Sequence, residues 1–469
     1  MGVRQGLRLG IVIFALMLPL KAQERNPLLV IRGGTLIDGT GAAPREDVLI
    51  VIRGGKIDAV GADAKIPDGA REMDAKGKFI LPSFLDARVR IGPTPGNHLS
   101  RSEISIEQRL DSLRALLTSG VGTARLVQGS FLEQELYQRW AQDDLLPSPG
   151  IVTSGPVFTA KGGRPIEEYS ILAEDVRDRE TRQIADDDQA REMSRGVAHA
   201  GADSFEIVYD QGPEGSRRPR LAKSALEVLL AEGQGHGLAT FCEVGSDQEA
   251  SEAVSTGAKA IEGVWDETLS AETVSLMAKQ QAVFVPVLTQ QGDLLNLIDE
   301  AKLKAYLNDP LVQQSLSSVM KQSLASSTGL IPRLRNSLSS EAGKASRQKI
   351  DEQQKRAFEN VRKANAAGVK IAVGTGAGNL LIFPGASVHR ELQLLVQAGL
   401  TPMGAIVAAT RNTAESLGLG TELGTIEPGK VADLVILDAD PLLDIQNTQK
   451  IHAVIERGRE VHSEELQLH

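Results

Sequence analysis

The sequence predicts an α/β protein: a (β/α)8 TIM barrel with a small composite β-sandwich formed by both chain ends. Three observations predict it. Short β-rich runs broken by glycine open the chain, helix-length segments alternate with short apolar strands through its middle, and short strands return near its end. Strands alternating with helices imply a parallel sheet covered by helices, and so many in succession imply closure into a barrel. The 469 residues, 41% of them apolar, suffice for a large core and two domains. A net charge of -10, from 51 basic and 61 acidic side chains, excludes nucleic acid and anionic membrane surfaces as expected partners. Aromatic residues, at 3%, are too scarce for stacking platforms.

At the start, Arg4 and Arg8 precede the apolar run Leu9 to Leu20, LGIVIFALMLPL, and Ala22 follows. This is the order of a signal peptide, here residues 1-22. The run is too short to cross a bilayer, so an exported, periplasmic or extracellular protein is expected, with no stable membrane insertion after cleavage. Losing Arg4, Arg8 and Lys21 takes the 51 basic side chains to 48 against 61 acidic ones, a mature charge of -13.

Residues 27-80 carry LLVIRGGTLIDGTG and EDVLIVIRGGKIDAVG, which read as antiparallel strands with glycine turns. GTIEPGKVADLVILDADPL and IHAVIERGREV, within 416-465, would complete the same β-domain. The barrel is expected over 81-415, with strands in KFILPSFLDARVRIG, GVGTARLV, PGIVTSG, ADSFEIVY, LATFCEV, KAIEGV, VFVPVL and VKIAVG. Their hydrophobicity is continuous rather than alternating, as for strands covered on both faces. Between about 290 and 365 the stripe Ile350, Ala357, Phe358, Val361 and Ala364 predicts a helical excursion on the barrel rim. The one cysteine, Cys242, has no disulfide partner and reads as a small buried hydrophobe.

Several of these segments, with GGRP, AGADSFEIV, TGAKAIEG, AGVKIAVGTGAG, HRELQLLVQAGLTP and AATRNTAESLGL, resemble the amidohydrolase superfamily, in the branch near imidazolonepropionase and the prolidase-like enzymes. The resemblance implies the same barrel and composite domain. It also implies hydrolysis assisted by one or two divalent ions, typically zinc, at the barrel mouth. Residue by residue, the ligand positions differ. The His-x-His of the first strand reads Arg88-Val89-Arg90, and a guanidinium has no lone pair to give a metal. The carboxylatable lysine of the fourth strand corresponds to Glu206, and the fifth-strand histidine to Phe241, with Cys242 or Glu243 as other counterparts. Gly263 stands for the sixth-strand histidine and Gly376 for the catalytic aspartate of the eighth. The histidines present, His98, His199, His236, His389, His452, His462 and His469, do not fall on strand ends; His389 reads as structural.

No cofactor and no catalytic residue are therefore expected. An all-oxygen calcium or magnesium site from Asp86, Glu206, Glu243 and Glu262 would be opposed by Arg88 and Arg90. Period two points Asp86, Arg88 and Arg90 into the mouth, where Glu206, Glu243 and Glu262 can pair with the arginines. Such a network is either a plug or, with Arg125 and Arg164, a site for an anionic small molecule held by bidentate hydrogen bonds. The leading expectation is a family homologue without its metal centre, a pseudoenzyme that binds or supports. The alternative is an active hydrolase of non-peptide or dipeptide C-N bonds with an atypical site. By analogy with the family, a homo-oligomer is compatible.

Overall fold

Runs of buried apolar residues in the first strands, with glycine at the reversals, build a sheet that the end of the chain completes. The computed structural model describes residues 28-62, 64-91, 106-142, 148-166, 180-292, 299-316, 321, 324 and 330-462. The leader segment read at residues 1-22 lies outside them, as do His98 and His469.

The first five strands are β1 (Leu29–Leu36), β2 (Arg45–Arg53), β3 (Lys56–Val60), β4 (Arg71–Asp74) and β5 (Phe79–Pro82). A second group follows: β6 (Phe84–Val89), β7 (Val121–Leu126), β8 (Gly150–Thr153), β9 (Val157–Ala160), β10 (Thr181–Ile184), β11 (Ser204–Val208), β12 (Ala239–Val244), β13 (Ala260–Gly263) and β14 (Val283–Val285). Last come β15 (Leu434–Leu437), β16 (Ile451–Glu456) and β17 (Arg459–Glu460). One sheet runs β17-β16-β15-β5-β1-β2-β3, with β4 beside β1, so both chain ends share it. Antiparallel pairing sets Leu434 against Pro82 and Leu437 against Phe79. Ile31, Ile50, Ile52 and Ile80 from one end pack with Leu434, Ile436 and Ile455 from the other in a core of their own.

The middle of the chain adopts the predicted α/β barrel arrangement. Parallel ladders join β6, β7 and β8, and separately β10, β9, β11, β12, β13 and β14, with helices between the strands. Their inward residues and the helices' inner faces make the main core. The ladder does not close into one continuous sheet. At the eighth position, where VKIAVG reads as a strand, residues 370-377 instead thread between β14 and β6 through isolated bridges, Phe284 with Ile371 and Val89 with Ala377. Gly376 (φ +70°) and Gly378 (φ +92°) turn the segment out of extended geometry. Ala87 N still donates to Val373 O at 2.8 Å and Gly376 N to Arg88 O at 2.9 Å, which fixes this segment against β6. In the stretch read as a helical excursion, the helix Lys344–Ala366 buries Ala357, Asn360, Val361 and Ala364.

Candidate functional site

Parallel strands in register present neighbouring side chains on one face, and three carboxylates converge for that reason. Glu243 of β12 stands opposite Glu262 of β13, while Glu206 of β11 stands opposite Phe241. Into the space among them β6 sends Arg88. Its Nη1 donates to Glu206 Oε1 at 2.7 Å and also to Glu262, and its Nη2 donates to Glu243. Arg88, Glu206 and Glu262 are wholly buried, and Glu243 nearly so.

Arg125 of β7 completes the network. It donates to Glu206 Oε2 at 2.6 Å, Glu262 Oε1 at 3.1 Å, Ser204 Oγ at 3.0 Å and the carbonyls of Ala87 and Phe205, each at 3.1 Å. Its guanidinium carbon lies 3.8 Å from the centre of the Phe241 ring. A cation over an aromatic face is attracted by the ring quadrupole, so Phe241 serves as floor to a charge.

Buried ion pairs persist only where the remaining donors and acceptors are also used, and the charges here are strongly coupled. Burial alone would lower the Arg88 pKa, but Glu243 and Glu206 outweigh it and hold the guanidinium above its ordinary value. For Arg125 burial prevails over Glu206 and the value falls. Burial would raise Glu243, yet Arg88, Arg164 and Arg90 together hold it below the ordinary carboxylate range.

The predicted set is only partly brought together. Arg88, Arg125, Glu206, Glu243 and Glu262 form one cluster, with Phe241 beneath. Arg90 donates to Asn379 Oδ1 at 3.0 Å and reaches Glu243 through its charge. Arg164 pairs with Asp210, at the end of β11. Gly263 and Gly376 both have positive φ and contribute no side chain. The Asp86 carboxylate is taken up by the eighth-position segment, accepting from Thr375 N at 3.0 Å and Thr375 Oγ1 at 2.6 Å, because residues 370-377 run directly beside it. Burial pushes its pKa up to about 6.

Asp210 was not singled out from the sequence, although period two from Glu206 through Val208 reaches it. Burial raises its pKa to about 7 against the opposing charge of Arg164. Asn379 gave no signal within its glycine-rich loop. Among the histidines, His389 is buried between Thr448 Oγ1 and Ser119 O, each at 3.0 Å, and burial lowers its pKa to about 4. His199 and His236 are exposed.

A divalent cation would need the lone pairs that Glu206, Glu243 and Glu262 already give to Arg88, and the guanidinium would repel it. The residues present do not fit a metal ion at this place. Among the described residues, no group of three His, Cys, Asp or Glu is arranged to hold one.

Comparison with known proteins bears on the family and the fold. The Amidohydrolase family matches residues 79–461. An imidazolonepropionase from Caldanaerobacter subterraneus subsp. tengcongensis is 24% identical over 417 residues, covering 85% of each chain. Another, from Geobacillus sp. (strain WCH70), is 34% identical over 110 residues, which span 22% of this chain and only 25% of that protein. A crystal structure of a Xaa-Pro dipeptidase with methionine bound in its active site superposes with a TM-score of 0.73 at 20% identity, covering 93% of this chain and all of that one, a likeness of fold.

These matches correct one expectation. Members of the family normally use metal ions, so the absence of a cofactor does not follow for the chain as a whole. With the family match running from the fifth strand almost to the last described residue, the chain belongs to the amidohydrolase family.

Proposed function

We propose that this is an exported amidohydrolase-family protein whose barrel mouth holds an Arg/Glu plug where the family's divalent-metal centre would lie. On this reading it acts by binding or support rather than by hydrolysis. The observation that carries the proposal is Arg88, fully buried and bonded at once to carboxylates from three adjacent strands. Charge favours a plug over an anion site within the cluster: two guanidiniums face three carboxylates, leaving no positive surplus. Export is supported by Arg4, Arg8 and the apolar run from Leu9 to Leu20.

The relatives' names supply the test. Purified full-length protein, with zinc or manganese added, is assayed on imidazolonepropionate and on Xaa-Pro dipeptides. No turnover above the buffer rate is expected. Saturable turnover that disappears in Asp210→Asn or Glu243→Gln would establish an atypical hydrolase and overturn the plug reading.

A further inference from the structure

Away from the arginine cluster, a second buried acid sits in a hydrogen-bond pattern that does not balance if it is ionised. Glu391, in the helix Ala386–Gln397, has no exposure to solvent. Its Oε1 accepts from Leu288 N at 2.8 Å, and its Oε2 accepts from Thr289 N at 2.7 Å. Thr289 Oγ1 lies 2.9 Å from the same Oε2 and 2.6 Å from the carbonyl oxygen of Thr375. A threonine hydroxyl has one proton, whereas a carbonyl oxygen and a carboxylate oxygen can only accept. Two hydrogen-bond distances therefore compete for one hydrogen. The shorter contact, to the carbonyl, takes the hydroxyl proton, and the longer one needs a proton on the acid.

We infer that Glu391 is held as a neutral carboxylic acid that donates to Thr289 Oγ1, and that this proton locks the helix Ala386–Gln397 to the barrel mouth. The path is short and continuous. Thr289 Oγ1 donates to Thr375 O, Thr375 N and Oγ1 donate to Asp86, and Asp86 accepts from the backbone N–H of Arg88 at 3.1 Å. Glu391 is thus a positioning residue for the strand end that carries Arg88.

The surrounding charges agree. Burial, reinforced by the negative charge of Asp86, raises the Glu391 pKa to about 7 against the lowering effect of its backbone and hydroxyl partners. Among the described residues, no cation of the packed elements forms an ion pair with it. The helices Leu288–Gly292, Pro310–Ser315 and Pro402–Val407 and the turn Ile445–Gln449 carry no charged side chain. On the helix Lys344–Ala366, Arg356 donates to Trp265 O, Lys363 to Leu269 O, Glu359 pairs with Lys363, and Arg362 lies along Gly399. Lys370, at the start of the eighth-position segment, pairs with Glu415. On the acid's own helix His389 is neutral and Arg390 reaches Gln393. Arg88 is committed to its three glutamates.

A raised acid pKa sets the sign. The stabilisation is fully present below the ordinary value of 4.5 and is lost as pH rises through about 7. The test uses the full-length protein labelled with carbon-13 at the glutamate carboxyls, which leaves Asp86 and Asp210 silent. One glutamate signal is expected to titrate near neutrality and to be missing in Glu391→Gln. In Glu391→Gln the amide nitrogen can donate to Thr289 Oγ1 but can no longer accept from Thr289 N, so the variant is expected to be less stable than the wild type at pH 5 and to lack this site's loss of stability between pH 5 and 8 (about one proton released per molecule). Absence of any glutamate titrating above pH 6 in the wild type would overturn the inference without recourse to the variant. So would a near-neutral signal that persists in Glu391→Gln.

Discussion

Deleting the Arg88 side chain leaves Glu206, Glu243 and Glu262 facing one another in a buried space, with Arg125 still paired to Glu206 and Glu262 and Glu243 left to the more distant charges of Arg164 and Arg90. Breaking a buried pair from one side costs about 3–5 kcal/mol, because the stranded charges are worse than no charges. Arg88→Ala is therefore expected to lose about that much stability near neutral pH, measured by chemical unfolding. Its pH response should also reverse. In the wild type Arg88 helps hold Glu243 below its usual 4.5, so this contribution is present above 4.5 and fades as pH falls through the lower folded value. In Arg88→Ala the crowded carboxylates prefer to be protonated, and lowering the pH is expected to recover stability. An Arg88→Ala protein as stable as wild type at pH 7.5 would contradict the plug. The cluster was legible in the sequence because charged residues inside otherwise continuous apolar strands must find partners. The Asp86–Thr375 and Thr289–Glu391 pairs were not, since they depend on how a glycine-rich segment bends.

At the scale of elements, that segment is the exception among the barrel positions. The apolar run VKIAVG reports burial, and burial was correctly read, but it does not distinguish a laddered strand from a bent segment touching both neighbours. The difference lies in Gly374, Gly376 and Gly378. A methyl group at Gly374 would press on Val285 and Arg88, and one at Gly378, where φ is +92°, would fall within contact of the Arg90 carbonyl. Gly378→Ala is thus expected to cost about 2 kcal/mol or more, from left-handed strain added to overpacking. It should also displace Arg90 from Asn379, a change visible in a crystal structure of the variant. Wild-type stability with Arg90 in place would show that the turn is not constrained as described. The remaining strands gave stronger signals because both their faces are covered, which enforces long apolar runs between polar ends.

The whole molecule depends on its two ends meeting. Strands β15 to β17 complete the sheet that β1 to β5 begin, and the isoleucines of one end are buried by leucine and isoleucine of the other. A chain ending at Gly429 is therefore expected to expose β1, β2 and β5, with rapid proteolytic cleavage before residue 80 and loss of the single melting transition. Protection of the N-terminal strands in that truncated chain would show that they fold alone. The composition and the return of short strands after Gly424 made this closure readable, whereas the exact pairing of β5 with β15 was not, because register is set by contacts across the whole length of the chain. The same pairing sets a timetable for biosynthesis. The ribosome delivers β5 long before β15, so the nascent chain carries an unpaired apolar strand edge through most of its synthesis, and closure of that edge is a late, long-range event of the slow kind. An edge left open for that interval is available to other chains, so faults in production are expected as aggregation of newly made chains more than as unfolding of finished ones.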